Sequence, residues 1–203
     1  NKDFYSQFGE DRILNELFPA KKNDGFYVDV GCFHHKKYSN TYLLYKRGWS
    51  GINIDMEKKK IDLFNKARPN DYNYLSAISD KVENVKIYKN QEFGVSSTLN
   101  PKFLKKKDII HEEFITTNTL NNVLENSPFN KKEIDLLNID TEGNDFKVIK
   151  TLNFTKYNPK VIIIETHLNS INEIIKSEIY NFIVKKDYKL RSWSLFSLIF
   201  TKC

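Results

Sequence analysis

What this chain has little of already narrows its class. Glycine occurs 7 times in 203 residues, and no G-x-G-x-x-G run is among them, so a glycine cradle for a pyrophosphate is not expected. The 2 cysteines, Cys32 and Cys203, are too few and too far apart for a disulfide framework or a C-x-x-C pair. That usage fits a reducing, cytoplasmic setting. No apolar run approaches the length of a membrane span. Asn1-Lys2-Asp3-Phe4 lacks the basic-then-apolar pattern of a secretory signal, and a soluble protein is expected.

What is present bounds the rest. A chain of 203 residues is long enough for one well-cored domain and short for two, so residues 1–203 are expected to form a single domain, with 1–22 as an N-terminal helical segment. A content of 40% hydrophobic and 14% aromatic residues is that of a globular protein. The net charge of +6 comes with lysine and asparagine spread everywhere and no aromatic-interleaved basic motif. It reads as a solvated surface, and no nucleic-acid partner is expected; the oligomeric state is left open.

The chain is organised around Phe26-Tyr27-Val28-Asp29-Val30-Gly31, a buried strand that follows the turn signal Asn23-Asp24-Gly25 and ends in an acid and a glycine. An acid cannot go into a core unpaired, so Asp29 is expected to face the crevice at the end of the sheet. Cys32-Phe33-His34-His35 stand where a dinucleotide turn needs further glycines. An acid beside such a loop favours a cofactor with a cationic group, of which S-adenosylmethionine is the common one. Ser39 or Asn40 can cap the helix that starts after Thr41 and stops at Arg47-Gly48. Ile52-Asn53-Ile54-Asp55 is a second strand ending in an acid, about two dozen residues past the first glycine, the spacing of an acid that holds ribose hydroxyls. Met56, Ala77 and Ile78 are candidates to lie against the adenine. The helix 58–66 is expected to turn Ile61, Leu63 and Phe64 inward, and Tyr72 to Ile78 to form the third strand.

Upstream, Ser6 to Asp11 precedes Ile13, Leu14, Leu17 and Phe18 at helical spacing. Gln7, Glu10 and Asp11 can reach a ligand, although acids in a first turn more often cap it. Downstream, Val82 to Lys89 reads as a hairpin strand, and 90–107 as an irregular acceptor-binding loop or a disordered stretch. Phe114 to Thr117 reads as a strand and Thr119 to Leu124 as a helix. Ile134 to Ile139 is a central strand that delivers Asp140, Glu142 and Gly143 to the point where strand order reverses. A helix Asp145–Leu152 follows, then a buried strand Val161–Glu165 with His167 at its end, a long amphipathic helix Ile171–Val184, and an antiparallel pair, Tyr188–Trp193 and Leu195–Thr201.

In order, Ser6-Gln7-Phe8-Gly9-Glu10-Asp11, Val28-Asp29-Val30-Gly31, Ser39-Asn40-Thr41, Gly48-Trp49-Ser50-Gly51-Ile52-Asn53-Ile54-Asp55 and Ile139-Asp140-Thr141-Glu142-Gly143 resemble the blocks of the FkbM-type methyltransferase family. The loop Cys32 to His35 departs from that family's usual Ala-x-x-Gly. The resemblance implies an α/β class I methyltransferase (Rossmann-like) fold: a mostly parallel seven-stranded sheet with a C-terminal antiparallel hairpin and helices on both faces. It also implies transfer of a methyl group from S-adenosylmethionine to a hydroxyl of a sugar, glycan or related metabolite. By position it assigns Asp29 and Gly31 to the methionine end of the cofactor, Ser39, Asn40 and Thr41 to the loop around it, and Asp55 to the ribose; Gln7, Cys32 and Phe33 are further candidates for the cofactor site. Asp140 and Glu142 fall near the transferring methyl or the acceptor, and Asp140 is a candidate for cofactor contact as well.

An alcohol that takes a methyl group loses its proton, so a general base is needed within hydrogen-bond reach. Asp140 and Glu142 are the first candidates and His167 the second, with Glu165 also at a strand end. His34, His35, Asp140, Glu142 and His167 could gather around a divalent ion that acidifies the acceptor hydroxyl, but they show no tight ligand spacing, so a metal site is the minority reading and none is assigned. A silent cofactor- or glycan-binding module on the same fold is the main alternative; an NAD-dependent oxidoreductase or epimerase would need the missing glycine turn.

Overall fold

The computed structural model describes residues 4–19, 22–89, 97–98 and 111–203. Most of the expected loop at 90–107 lies outside them. In chain order the elements are α1 (Glu10–Leu17), β1 (Phe26–Val30), α2 (Tyr42–Lys46), β2 (Ser50–Asp55), α3 (Lys58–Ala67), β3 (Tyr72–Leu75), β4 (Ala77–Ile78), β5 (Asn84–Lys89), β6 (Ser97–Thr98) and β7 (His111–Asn118). Then come α4 (Leu120–Asn126), β8 (Leu136–Ile139), α5 (Asp145–Lys150), β9 (Val161–Glu165), α6 (Ile171–Lys176), α7 (Glu178–Val184), β10 (Tyr188–Ser194) and β11 (Ser197–Lys202).

The main sheet has 7 strands in the order β10-β11-β9-β8-β1-β2-β3. Neighbours from β9 to β3 pair in parallel, while β11 runs antiparallel to both β9 and β10. This is the class I methyltransferase layout, with the terminal hairpin as expected. Chain order reverses between β1 and β8, and ligands bind at such a switch point. A second sheet, β4-β7-β5-β6, grows from the end of β3.

Apolar strands buried on both faces make two layers. Val28, Ile52, Ile54, Leu137, Ile139 and Ile162 belong to the larger core, while Tyr27, Leu136, Ile163 and Ile199 face the other side with Leu14 and Trp49. In the second layer the register sets Asn53, Asp29 and Asn138 side by side across β2, β1 and β8. A polar row inside a sheet must be hydrogen-bonded throughout. Here it is closed by Arg68, which is 0% exposed.

Arg68 donates to the Tyr27 hydroxyl at 3.1 Å, the Thr41 hydroxyl at 2.9 Å, the Ser39 hydroxyl at 3.1 Å and the His35 carbonyl. Thr41 passes a proton bond on to Asp29 at 2.8 Å, Asn138 donates to the same carboxylate at 2.8 Å, and Asn40 donates to Asn138 at 2.9 Å. On the other side Tyr27 donates to Asp71, which also accepts from Gly51 N and Asn53 at 2.9 Å each. One guanidinium thus serves two buried carboxylates and the loop after β1.

Some local expectations fail for visible reasons. Ser39 and Asn40 do not cap α2, because their side chains are committed to Arg68 and Asn138; the cap position falls to Thr41, whose hydroxyl bonds Asp29 instead. The expected strand Tyr72–Ile78 breaks at Ser76, so β3 stays in the main sheet and β4 pairs with β7. The helix 171–184 divides at Ser177, whose hydroxyl accepts from Tyr180 N and starts a new helix. Leu63 points outward while Ile61 and Phe64 are buried.

Replacing Arg68 by leucine strands Asp29 and Asp71 without their cation. The cost expected is about 3–5 kcal/mol of unfolding free energy, read from chemical-denaturation midpoints, with Arg68→Lys recovering only part because an ammonium cannot reach all four acceptors.

Candidate active site

At the carboxyl ends of β1, β2 and β8 lies an open cleft. Its position follows from pairing: Val30 is opposite Ile139, which sets Gly31 beside Asp140. Gly31 has φ +82, and a Cβ on it would lie 1.7 Å from the Asp140 carbonyl oxygen. Only glycine lets the two strand-end loops approach this closely.

Asp55 ends β2 on one side of the cleft. Its carboxylate accepts from Glu57 N at 2.8 Å and lies 3.3 Å from Lys60 Nζ. At 6% exposure, burial lifts its pKa to about 6, with Lys60 opposing. Lys60 loses charge stability through burial, but Asp55 and Glu57 together raise it, so an ammonium is held beside the acid. Met56, Ala77 and Ile78 line the adjoining wall.

The loop after β8 forms the other side. Asp145 braces it, accepting from Thr141 N at 2.8 Å, the Thr141 hydroxyl at 3.0 Å and Gly143 N at 3.1 Å. Inside this brace Glu142 sits at φ 52, a left-handed conformation for a residue with a side chain, at a cost of order 1 kcal/mol or more. Asp140, Thr141 and Glu142 all line the cleft. Burial, then Asp145 and Glu142, raise the pKa of Asp140; burial, then Asp140, raise that of Glu165 on the neighbouring β9. Two carboxyls facing each other at that depth resist being ionised together. Burial also raises Glu142, with His167 opposing.

Of the residues singled out from sequence, Gln7, Gly31, Phe33, Asp55, Met56, Ala77, Ile78, Asp140 and Glu142 meet in this cleft. Glu10 and Asp11 do not: Glu10 accepts from Phe8 N and the Ser197 hydroxyl, and Asp11 from Tyr5 N and Ser6, so both brace the start of α1. Asp29, Ser39, Asn40 and Thr41 lie behind the cleft wall in the Arg68 network, not among the lining residues. The argument that Asp29 must face the crevice fails because Thr41 and Asn138 satisfy it internally. Cys32 packs against Ile61 and Phe64, where burial pushes its thiol pKa up. His34 Nδ1 accepts from Lys36 N and Lys37 N at 3.0 and 3.1 Å, so that imidazole braces its own loop. His167 is outside the cleft lining, with a side chain 43% exposed and Nε2 3.5 Å from Glu165 Oε1.

Tyr38, Lys60, Ser76 and Asn144 also line the cleft and were not expected from sequence. Asn144 had a usable signal, following Gly143 directly after the acidic loop, and its amide donates to the Ile78 carbonyl at 2.7 Å. Tyr38 had none; its φ of 56 and its stacking on Phe33 emerge only in the fold.

Comparison with known proteins decides the family. Residues 23–190 match the model of the methyltransferase FkbM domain. This chain belongs to the FkbM methyltransferase family. No curated protein matches it. Among solved structures, a TehB-like SAM-dependent methyltransferase from Corynebacterium glutamicum aligns with a TM-score of 0.48 at 12% identity, over 98% of this chain and 89% of that one. Within the FkbM domain the matched region takes in every cleft residue named here except Gln7.

The raised pKa of Asp55 has a signed consequence for the ligand-free FkbM domain. Its unfolded value is about 3.9, so between there and about 6 the folded state binds more protons than the unfolded one, and stability falls as pH rises through that window. A shift of this size is worth on the order of 3 kcal/mol. Asp55→Asn is expected to flatten the dependence, measured by urea unfolding between about pH 4 and 7; an unaltered slope would show that Asp55 titrates normally.

Proposed function

We propose that this FkbM domain transfers the methyl group of S-adenosylmethionine to a hydroxyl oxygen of a sugar, glycan or related metabolite. The observation that carries the reading is that one cleft joins Gly31, Asp55 and the pair Asp140 and Glu142, the ends of three adjacent parallel strands. In this reading Asp55 accepts from the ribose hydroxyls, with Met56, Ala77 and Ile78 against the adenine. Gly31, Phe33 and Gln7 border the methionine end, and the network behind them holds the loop in shape without touching the cofactor.

The acceptor oxygen attacks the methyl carbon in line as the carbon–sulfur bond breaks. The sulfonium becomes a neutral thioether, and the hydroxyl proton passes to a carboxylate. Alignment of donor and acceptor carries much of the acceleration. Asp140 is the base in this scheme and Glu142 orients the hydroxyl, because both line the cleft, whereas His167 stands outside it. Burial raises both carboxyl pKa values, which moves them toward the range where a base works at neutral pH. The carbohydrate assignment rests on the family resemblance alone.

Calorimetry with S-adenosylhomocysteine is expected to show binding that Asp55→Ala weakens strongly, with no binding of NAD. Tight NAD binding without a response to S-adenosylhomocysteine would overturn the reading. A screen of sugars, glycans and nucleotide-sugars with labelled methyl donor is expected to find the acceptor. With it in hand, Asp140→Asn and Glu142→Gln should lower turnover by about 10²- to 10⁴-fold while cofactor affinity stays near wild type. Wild-type turnover in both would remove them from the chemistry.

A further inference from the structure

Beside the cleft, and not used in the scheme above, Glu165 ends β9 and His167 follows it, across from Glu142 in the loop after β8. One carboxylate oxygen from each glutamate and one imidazole nitrogen all lie within 4.8 Å of one another. We propose that Glu142, Glu165 and His167 form a binding site for a divalent cation of the Mg²⁺/Mn²⁺ class, at the acceptor side of the cleft.

The ligand set argues for a cation of that kind. Two carboxylates and one imidazole, with no thiolate, suit a hard six-coordinate metal, and the single nitrogen favours Mn²⁺ over Ca²⁺. Metal–ligand distances of about 2.0–2.1 Å put ligand atoms about 3 to 4 Å apart around an octahedron. A spread of up to 4.8 Å therefore closes with small side-chain rotations. Three side chains leave coordination positions open toward the cleft for water or substrate oxygens.

A second observation is independent of that spacing. Glu165 Oε2 is shut off from solvent and has no hydrogen-bond donor. The neighbours of Glu165 are His167, whose Nε2 lies 3.5 Å from the other carboxylate oxygen, Oε1, and Asp140, another carboxyl, which can bond it only when one of the two carries a proton. An unprotonated carboxylate left so is costly unless a cation serves it. The brace supplied by Asp145, which holds Glu142 in its left-handed backbone, fixes one ligand on the β8 side. His167 on the β9 side is the exposed member, so a hydrated ion can enter without opening the core.

Short-range sequence spacing hides such a site, because its two halves come from loops on adjacent parallel strands. A bound cation would polarise a hydroxyl oxygen coordinated to it and make its proton easier to lose, with Asp140 next to it to receive the proton. That role rests on the proposed methyl transfer; the binding of the ion does not.

The test is titration of the whole ligand-free chain with Mn²⁺, following the electron paramagnetic resonance signal of the free ion, with neither cofactor nor acceptor present. One saturable site per chain is expected. His167→Ala and Glu165→Gln are each expected to weaken it by about tenfold or more, while Asp62→Asn, an exposed carboxylate on α3, leaves it unchanged. Because His167 is exposed, its variant keeps the fold, to be verified by circular dichroism, even if Glu165→Gln does not. Absence of a saturable site, or an affinity untouched by His167→Ala, overturns the proposal. Since S-adenosylhomocysteine binding is measured separately, loss of the metal site and loss of the methyl-transfer reading give different results.

Discussion

A buried guanidinium needs more acceptors than one carboxylate supplies, and the way Arg68 finds them organises the polar half of this fold. It lies at the end of α3, far in sequence from the loop after β1, yet it bonds that loop at His35, Ser39 and Thr41. Through Tyr27 and Thr41 it reaches Asp71 and Asp29. Desolvation of such charges is repaid only when every lone pair and proton finds a partner. The network comes close to that, with Arg68 Nε, Asn53 Oδ1 and His35 Nδ1 as its orphans. Its consequence for the site is indirect: the wall of the cleft is held from behind by residues that a ligand does not meet.

The cleft itself is shaped by a different constraint, the contact between Gly31 and the Asp140 carbonyl. The parallel pairing of β8 with β9 then sets the carboxyls of the β8 loop beside Glu165, and burial there raises their pKa values. Across the cleft Lys60 sits against Asp55 and Glu57, so the two ends differ in electrostatic character. One end pairs its acid with an ammonium. At the other, acids face acids, relieved by a shared proton or, in the inference above, by a divalent ion.

The succession of strands along the chain was legible because its signals are local: mainly apolar segments at 28–30, 52–54, 136–139 and 161–164, each followed by an acid or a turn, and a terminal antiparallel pair; their order across the sheet comes from the fold. Asp55, Gly31, Asp140 and Glu142 were legible for the same reason, as strand-end residues that the topology must bring to one edge. Asp29 was misjudged. The repeated pattern Val28-Asp29-Val30, Ile52-Asn53-Ile54 and Leu137-Asn138-Ile139 puts a polar residue on the same face of three neighbouring strands, and a row of that kind signals an internal network more than a ligand contact. Seeing it requires the register as well as the strands. Arg68 reads from sequence only as part of a turn, since nothing local says that it folds inward. The partition of residues 171–184 at Ser177 turns on a capping hydroxyl, too weak a cue against the apolar periodicity around it.

The chemistry of a sulfonium donor makes the arrangement of acids consequential. A carboxylate that pointed at the sulfonium would stabilise the charged reactant more than a transition state in which that charge is already dispersing, and the barrier would rise. The same carboxylate aimed at the acceptor hydroxyl gains strength as the proton leaves, and the barrier falls. Under the proposed reaction, acids beside a positive donor help only if they are neutralised toward the donor and basic toward the acceptor. A proton shared between Asp140 and Glu165, or a cation held by Glu142, Glu165 and His167, meets the first condition, and the cleft-facing position of Asp140 meets the second. Under that reaction the division matches the arrangement of the acids, with Asp140, Glu142 and Glu165 together at the ends of β8 and β9 and Asp55 paired with Lys60 at the end of β2.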